Sequence, residues 1–178
     1  MTKSVFDRRS FLKFGAVGAL AAMAPGAFAN VRERSLSFYN LHTDESLKTV
    51  YWADGAYIPE SLAAINHHFR DYRSGEVREI HPRLLDVLCE LRMKLETTAR
   101  IELISGYRSA ATNAMLRNQS DGVAQHSLHV EGMAADIRIP ARSLALLRKT
   151  AMSVKAGGVG YYPASQFVHI DVGRVRTW

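Results

Sequence analysis

Cysteine is almost absent: Cys89 is the only one in 178 residues. No intrachain disulfide can form, even in an oxidising compartment, and a structural zinc cluster of cysteine thiolates has no ligands to draw on. The thiol falls within Leu84-Leu-Asp-Val-Leu-Cys-Glu-Leu91, where a small apolar core residue is expected and no neighbouring base would activate it. Long hydrophobic runs are missing too. None reaches the roughly 20 residues that a permanent transmembrane helix needs. Internal repeats and low-complexity tracts are absent, which excludes a solenoid. What remains is an ordinary globular composition, 47% hydrophobic and 22% charged, on a chain long enough to bury one core.

Strong positive charge is also absent once the N-terminus is set aside. Arg8-Arg-Ser-Phe-Leu-Lys13, the apolar stretch from Phe14 to Ala24 and the small-x-small triplet Ala27-Phe-Ala29 read as a twin-arginine-type export signal over residues 1–29. Removing it takes away Lys3, Arg8, Arg9 and Lys13 against Asp7, so the formal charge falls from +6 to +3. Much of the basicity belongs to the signal, which argues against nucleic acid as a partner. The expectation is one domain over residues 30–178, exported by the twin-arginine machinery to the periplasm. There, a mildly cationic protein suits an anionic cell-envelope polymer.

Leu36 to Asn40 and Lys48 to Trp52 alternate apolar and polar residues, as half-buried strands do, with turns supplied by Asp44-Glu45 and Asp54-Gly55. Pro59 opens a helix to about Tyr72, and His81-Pro82 introduces a longer one to about Thr97, with Leu84, Leu85, Leu88, Leu91 and Leu95 on one stripe. Arg100 to Ser105 reads as a strand, Ala110 to Arg117 as a helix, Ala134 to Ile139 as a strand and Ser143 to Lys155 as a helix. Val159 to Tyr162 and Gln166 to Val172 complete the pattern. Helices mixed with antiparallel hairpins predict an α+β fold, with a small central antiparallel sheet flanked by helices.

The chemistry lies in two segments. Ser127-Leu-His-Val-Glu-Gly-Met-Ala-Ala-Asp136 sets an imidazole and a carboxylate on either side of Gly132, where the backbone can turn sharply. Phe167-Val-His-Ile-Asp171 offers a second imidazole and a second carboxylate. The strand period of two puts Ala134 with Asp136 on one face, and His169 with Asp171 on one face. If those strands are neighbours, His129, Asp136, His169 and Asp171 can converge on one point, where three of the four would bind a zinc ion with a position left for water and the fourth would sit beside it. Singly, each has a plainer role: a hydrogen-bonded histidine, a turn-forming Asp136, an Asp171 paired with Arg138 or Arg174. His42, His67, His68 and His81 have no comparable context, and the His67-His68 pair is expected to face solvent or to be hydrogen-bonded.

Ser127–Asp136 together with Phe167-Val-His169 resembles the His/Asp/His zinc peptidases of the D-Ala-D-Ala carboxypeptidase and hedgehog-like superfamily, and most closely its MepK-like murein endopeptidase branch. The likeness extends through Asn40-Leu-His-Thr-Asp-Glu45, Ile104-Ser-Gly-Tyr-Arg-Ser109, Gly157-Gly-Val-Gly-Tyr-Tyr-Pro163 and Gly173-Arg-Val-Arg-Thr-Trp178. It implies one Zn2+ per chain on His129, Asp136 and His169, and action on peptidoglycan stem peptides. In several relatives the general base is a Glu at least two residues before the last histidine ligand. Phe167 stands at that spacing here, so the base must come from elsewhere. Asp171 is the first candidate and His126 the second, although Asp171 also suits the task of orienting an imidazole. Arg108 has the chemistry to grip a substrate carboxylate, to stabilise a developing oxyanion or to form a structural salt bridge. Tyr161 and Tyr162 are candidate cleft walls, of which only one points inward if they lie on a strand. The implied reaction is metal-assisted hydrolysis of a peptide cross-link. A D-Ala-D-Ala carboxypeptidase and a non-catalytic murein-binding zinc domain are the competing readings.

Overall fold

The computed structural model describes residues 32–119 and 124–178, so the expected export signal lies outside the described residues. Glu33–Asn40 (β1) and Ser46–Ala53 (β2) form the expected hairpin, with Asp44 in the left-handed conformation that aspartate adopts more readily than most residues. Ala56–Tyr57 (β3) adds a short edge. Pro59–His68 (α1) and Pro82–Lys94 (α2) both begin on proline, whose missing N–H costs nothing in a first turn. Ile101–Ser105 (β4), Ala110–Gln119 (α3), Ala134–Arg138 (β5), Leu144–Val154 (α4), Gly158–Tyr162 (β6), Phe167–Asp171 (β7) and Arg176–Thr177 (β8) follow.

All the strands join one sheet in the order β3-β2-β1-β4-β5-β7-β6-β8. The α+β class is as expected, but the sheet is wider than the small antiparallel one read from the pattern. β1 pairs with β4 in parallel, because α1 and α2 carry the chain back between them, and β6 pairs in parallel with β8. Two-residue strands such as β3 and β8 are too short to show a period.

The core lies on one face. Leu84, Leu85, Leu88 and Leu91 of α2, with Leu147 and Ala151 of α4, meet Leu36 and Phe38 of β1, Ile101 and Leu103 of β4, Ala135 and Ile137 of β5, and Val168 and Ile170 of β7. Truncating any one of these leucines to alanine costs about 2–5 kcal/mol. Cys89 is buried in this cluster, as its surroundings in the sequence suggest. His68 departs from expectation. It is buried against Phe38 and Phe69, with ring centroids 5.9 and 6.3 Å away, and burial lowers its pKa so that the neutral ring packs as an apolar surface.

α1 stops at His68, short of Tyr72, because the next residues close a tight loop: Asp71 N–H donates to Glu76 O and Gly75 N–H to Asp71 O. The buried Asp71 carboxylate then accepts from the amides of Arg73 (3.0 Å) and Ser109 (2.9 Å), tying that loop to the start of α3. Burial alone would raise the pKa of this carboxyl. The Thr112 hydroxyl, the Ser109 and Arg73 amides and the Ser109 hydroxyl outweigh it and hold the value at about 2. A depressed carboxyl stabilises the fold fully above its unfolded value near pH 4, and the contribution is lost as pH falls toward 2. In Asp71→Asn an NH2 replaces one acceptor oxygen, and the melting temperature should drop by several degrees at pH 6. Thermal melts of both proteins should converge as the buffer approaches pH 2, and a pH-independent gap would contradict this account.

Candidate metal centre

β5 and β7 are antiparallel neighbours in which Asp136 stands directly opposite His169 and Ala134 opposite Asp171. The residues between them, Ala135, Ile137, Val168 and Ile170, enter the core. Alternation therefore sends Asp136, His169 and Asp171 to the other face. His129 arrives from the turn before β5, where Gly132 has φ of 68° and its carbonyl accepts from His81 N–H at 2.9 Å. A side chain at Gly132 would collide with the Glu79 carbonyl oxygen, so both the φ and the space require glycine.

Asp136 Oδ1 lies 2.9 Å from His169 Nδ1 and 3.2 Å from His129 Nε2, and the two nitrogens are 3.1 Å apart. The ring centroids are 5.0 Å apart, and all three residues are buried. The outer nitrogens are already engaged. His129 Nδ1 donates to Gly106 O at 2.7 Å, and His169 Nε2 donates to Asp171 Oδ2 at 3.1 Å. Each neutral ring consequently turns a lone pair inward. Two lone pairs and a carboxylate oxygen so close together repel one another unless a positive charge lies among them. Their separations approach the roughly 3.3 Å edge of a tetrahedron with metal–ligand bonds of about 2.0–2.1 Å. The donor set fits a divalent cation that accepts both imidazole and carboxylate.

The titration directions agree with that fit. Burial pushes the His129 imidazole down, against the pull of Asp136. Burial also opposes charge on His169, but hydrogen bonds to Asp136 and Asp171 outweigh it and raise the value. For Asp136, burial favours the neutral acid, yet its interactions with His129 and His169 hold it well below the usual carboxylate range. The carboxylates thus favour positive charge at this point, as a proton or as a metal.

Two arginines complete the charge pattern. Arg108 Nη2 donates to Asp136 Oδ2 at 2.9 Å and Nε donates to Ser105 Oγ at 3.1 Å, which leaves the other Asp136 oxygen facing the imidazoles. Asp171 pairs with neither Arg138, which binds Glu102 at 2.6 Å, nor Arg174. Its partner is Arg176, whose Nη2 donates to Oδ2 at 2.8 Å, while Oδ1 accepts the amides of Gly158 (2.8 Å) and Gly173 (2.9 Å). Burial would raise the pKa of Asp171, but His169, these amides and Arg176 depress it far below the ordinary range. Sequence reasoning missed Arg176 and Trp178. The Trp178 ring lies 5.3 Å from that of His169, and its Nε1 donates to Tyr162 Oη at 2.8 Å. Their only trace was the C-terminal motif, since β8 carries no periodic signal.

The His129–Asp136–His169 triad opens into a cavity of about 400 Å³ walled by His126, Ser127, Tyr162, Phe167, Arg176 and Trp178. Arg108 also borders it. Tyr162 stacks on Phe167 at 4.6 Å and faces the cavity, whereas Tyr161 lies on the opposite side of β6, packed on the core beneath Arg148. Of the two candidate tyrosines Tyr162 alone lines this cavity, because neighbours on a strand point to opposite faces. Of the other histidines, His81 Nδ1 accepts from Arg83 N–H to cap α2, and His42 stacks on Tyr72.

One carboxylate and two imidazoles gathered on a sheet face, with their donor atoms open to a cavity, are placed to bind a metal ion, as in a metal-dependent hydrolase. The family described as peptidoglycan L,D-endopeptidase MepK matches residues 28–178, and the chain belongs to that family. It is 47% identical over 182 residues, spanning all of both chains, to the peptidoglycan L,D-endopeptidase MepK of Escherichia coli strain K12, and equally to that of Shigella flexneri. It is 37% identical over 177 residues to the probable peptidoglycan L,D-endopeptidase MepK of Haemophilus influenzae, covering 97% of this chain and 95% of the relative. Gly132→Ala should strain the left-handed turn by about 1–3 kcal/mol and displace His129. Calorimetry should then find a lower melting temperature, and a zinc titration should find weaker uptake; unchanged uptake would detach Gly132 from the site.

Proposed function

We propose that this protein is an exported zinc endopeptidase that hydrolyses a peptide cross-link between peptidoglycan stem peptides, the L,D-bond named for its relatives. The carrying observation is the convergence of His129 Nε2, His169 Nδ1 and Asp136 Oδ1 within 3.2 Å of one another. When bound, zinc in this pocket would supply Lewis acidity and lower the pKa of a water to about 7. His129, Asp136 and His169 hold it, and the protein performs the remaining work. Gly106 O and Asp171 fix the two imidazole rings, and Arg108 fixes the orientation of Asp136. A buried carboxylate that already accepts from His169, Gly158, Gly173 and Arg176 has little capacity left to take a proton from water. The first candidate base therefore becomes the group that aims His169. His126, exposed within the same cavity, is assigned the proton transfer in its place. Arg108 and Tyr162, which line the cavity, are assigned to the substrate carbonyl and peptide. Residues 1–29 carry the export signal that brings the enzyme to its substrate.

Two variants separate these roles. His126→Ala should retain zinc and lose about 10²- to 10⁴-fold in kcat, as expected for loss of a general base. Asp171→Asn should weaken zinc binding by about 10–100-fold while retaining most of kcat once saturated with metal. An Asp171→Asn enzyme with unchanged zinc affinity and a kcat collapse would return the base to Asp171.

Purified murein digested by the residue 30–178 protein should yield cleaved cross-links, with activity stopped by a chelator and restored by added zinc. Zinc-loaded protein that releases no peptide from murein would instead make the chain a binding module. Loss of terminal D-alanine alone would make it a carboxypeptidase.

A further inference from the structure

A second cavity, of about 470 Å³, lies on the other side of Asp136 and shares Arg108, Asp136 and Phe167 with the first. Its far wall comes from two segments distant in sequence. His42, in the β1–β2 turn, stacks on Tyr72, from the loop after α1, with ring centroids 3.8 Å apart and planes 11° from parallel. The Arg73 guanidinium lies 4.2 Å from the centre of the same tyrosine ring. Both segments are held from below by buried side chains. Asn40 Oδ1 accepts the amides of His42 (2.9 Å) and Thr43 (3.3 Å), and Asp71 Oδ1 accepts the amide of Arg73 (3.0 Å). The platform is thus preorganised, and rigid placement of a charged group lowers the entropic cost of binding.

The charge of this wall is one-sided. Among the described residues, the only carboxylate lining the cavity is Asp136, whose oxygens are committed to Arg108 and the two imidazoles, while Arg73 stands exposed. An exposed guanidinium beside an aromatic platform suits a carboxylate on a peptide, which it can engage with two parallel N–H donors. A cross-link joins two peptides, so an enzyme that cuts it must seat an arm on each side of the scissile bond. Two cavities that meet at a metal ligand supply that arrangement.

We propose that the His42–Tyr72–Arg73 groove is the binding site for the second, carboxylate-bearing arm of the cross-linked peptide, with Arg73 pairing its carboxylate and the His42–Tyr72 stack supporting its backbone. The assignment rests on the endopeptidase reading, and its test is chosen to be separable from it. The zinc-loaded enzyme is assayed with a purified cross-linked muropeptide dimer and with the same dimer after its free carboxyls are converted to carboxamides. Arg73→Gln should raise KM for the native dimer about tenfold while kcat and zinc content hold, and Arg73→Lys should recover part of the loss. Amidation should cost the unmodified enzyme a similar factor, and the two losses should overlap rather than multiply in Arg73→Gln. An unchanged KM in Arg73→Gln, or losses that simply multiply, would overturn the groove assignment. If the unmodified enzyme cleaves neither dimer, the peptidase reading fails, and equilibrium titration of the native dimer decides the groove by itself. Binding about tenfold weaker in Arg73→Gln sustains it, and equal binding removes it.

Discussion

Asp136 and His169 face one another across the β5–β7 ladder, and the rest of the site depends on that register. A slip of one residue would exchange the two faces of either strand, putting Ile137 or Ile170 where a ligand stands and a carboxylate into the core. The register is held by burial: Ala135, Ile137, Val168 and Ile170 are all in the core beneath α2 and α4. The hydrophobic effect on one face of the sheet thereby fixes the geometry of the candidate metal centre on the other. Coordination chemistry alone would not choose between registers, because carboxylates and imidazoles are well hydrated in the unfolded chain.

Around that pair the protein arranges charge so that neither carboxylate is left alone. Asp136 is matched by Arg108 and Asp171 by Arg176, so each buried anion has a guanidinium within 2.9 Å. Unpaired buried charges would be strongly destabilising. The balance leaves the position between the two imidazoles as the place where additional positive charge is most favourable. The His129 and His169 rings cannot rotate to relieve their mutual crowding without surrendering the hydrogen bonds to Gly106 and Asp171. The His129–Asp136–His169 triad is therefore held in place by Gly106, Asp171 and Arg108, which lie outside it.

The C-terminus has an unusual share in this. β8 is only Arg176–Thr177, yet it delivers a guanidinium to Asp171 and an indole to the side of His169. Trp178 also closes a hydrogen bond to Tyr162, the tyrosine of its pair that faces the cavity. At the opposite boundary, Asp71 ties the loop after α1 to Ser109, the residue next to Arg108. The parallel β1–β4 and β6–β8 pairs bring these distant segments into one sheet.

The sequence by itself determined the alternation of β5 and β7, the leucine stripe of α2, the need for glycine at position 132 and the three residues, His129, Asp136 and His169, that gather at the candidate metal centre. These are local properties, set by side-chain period, backbone freedom and ligand chemistry, and each can be read within about ten residues. Helix ends were less legible, since α1 stops where Asp71 finds partners some 38 positions away in Ser109. Only the tertiary structure decided which strands became neighbours, which arginine answers Asp171, which tyrosine faces the cavity and whether His68 is wet or dry. Those outcomes come from long-range packing and from competition among several similar partners. Arg138, Arg174 and Arg176 are chemically alike, and what separates them is where the β6–β8 pairing leaves each guanidinium.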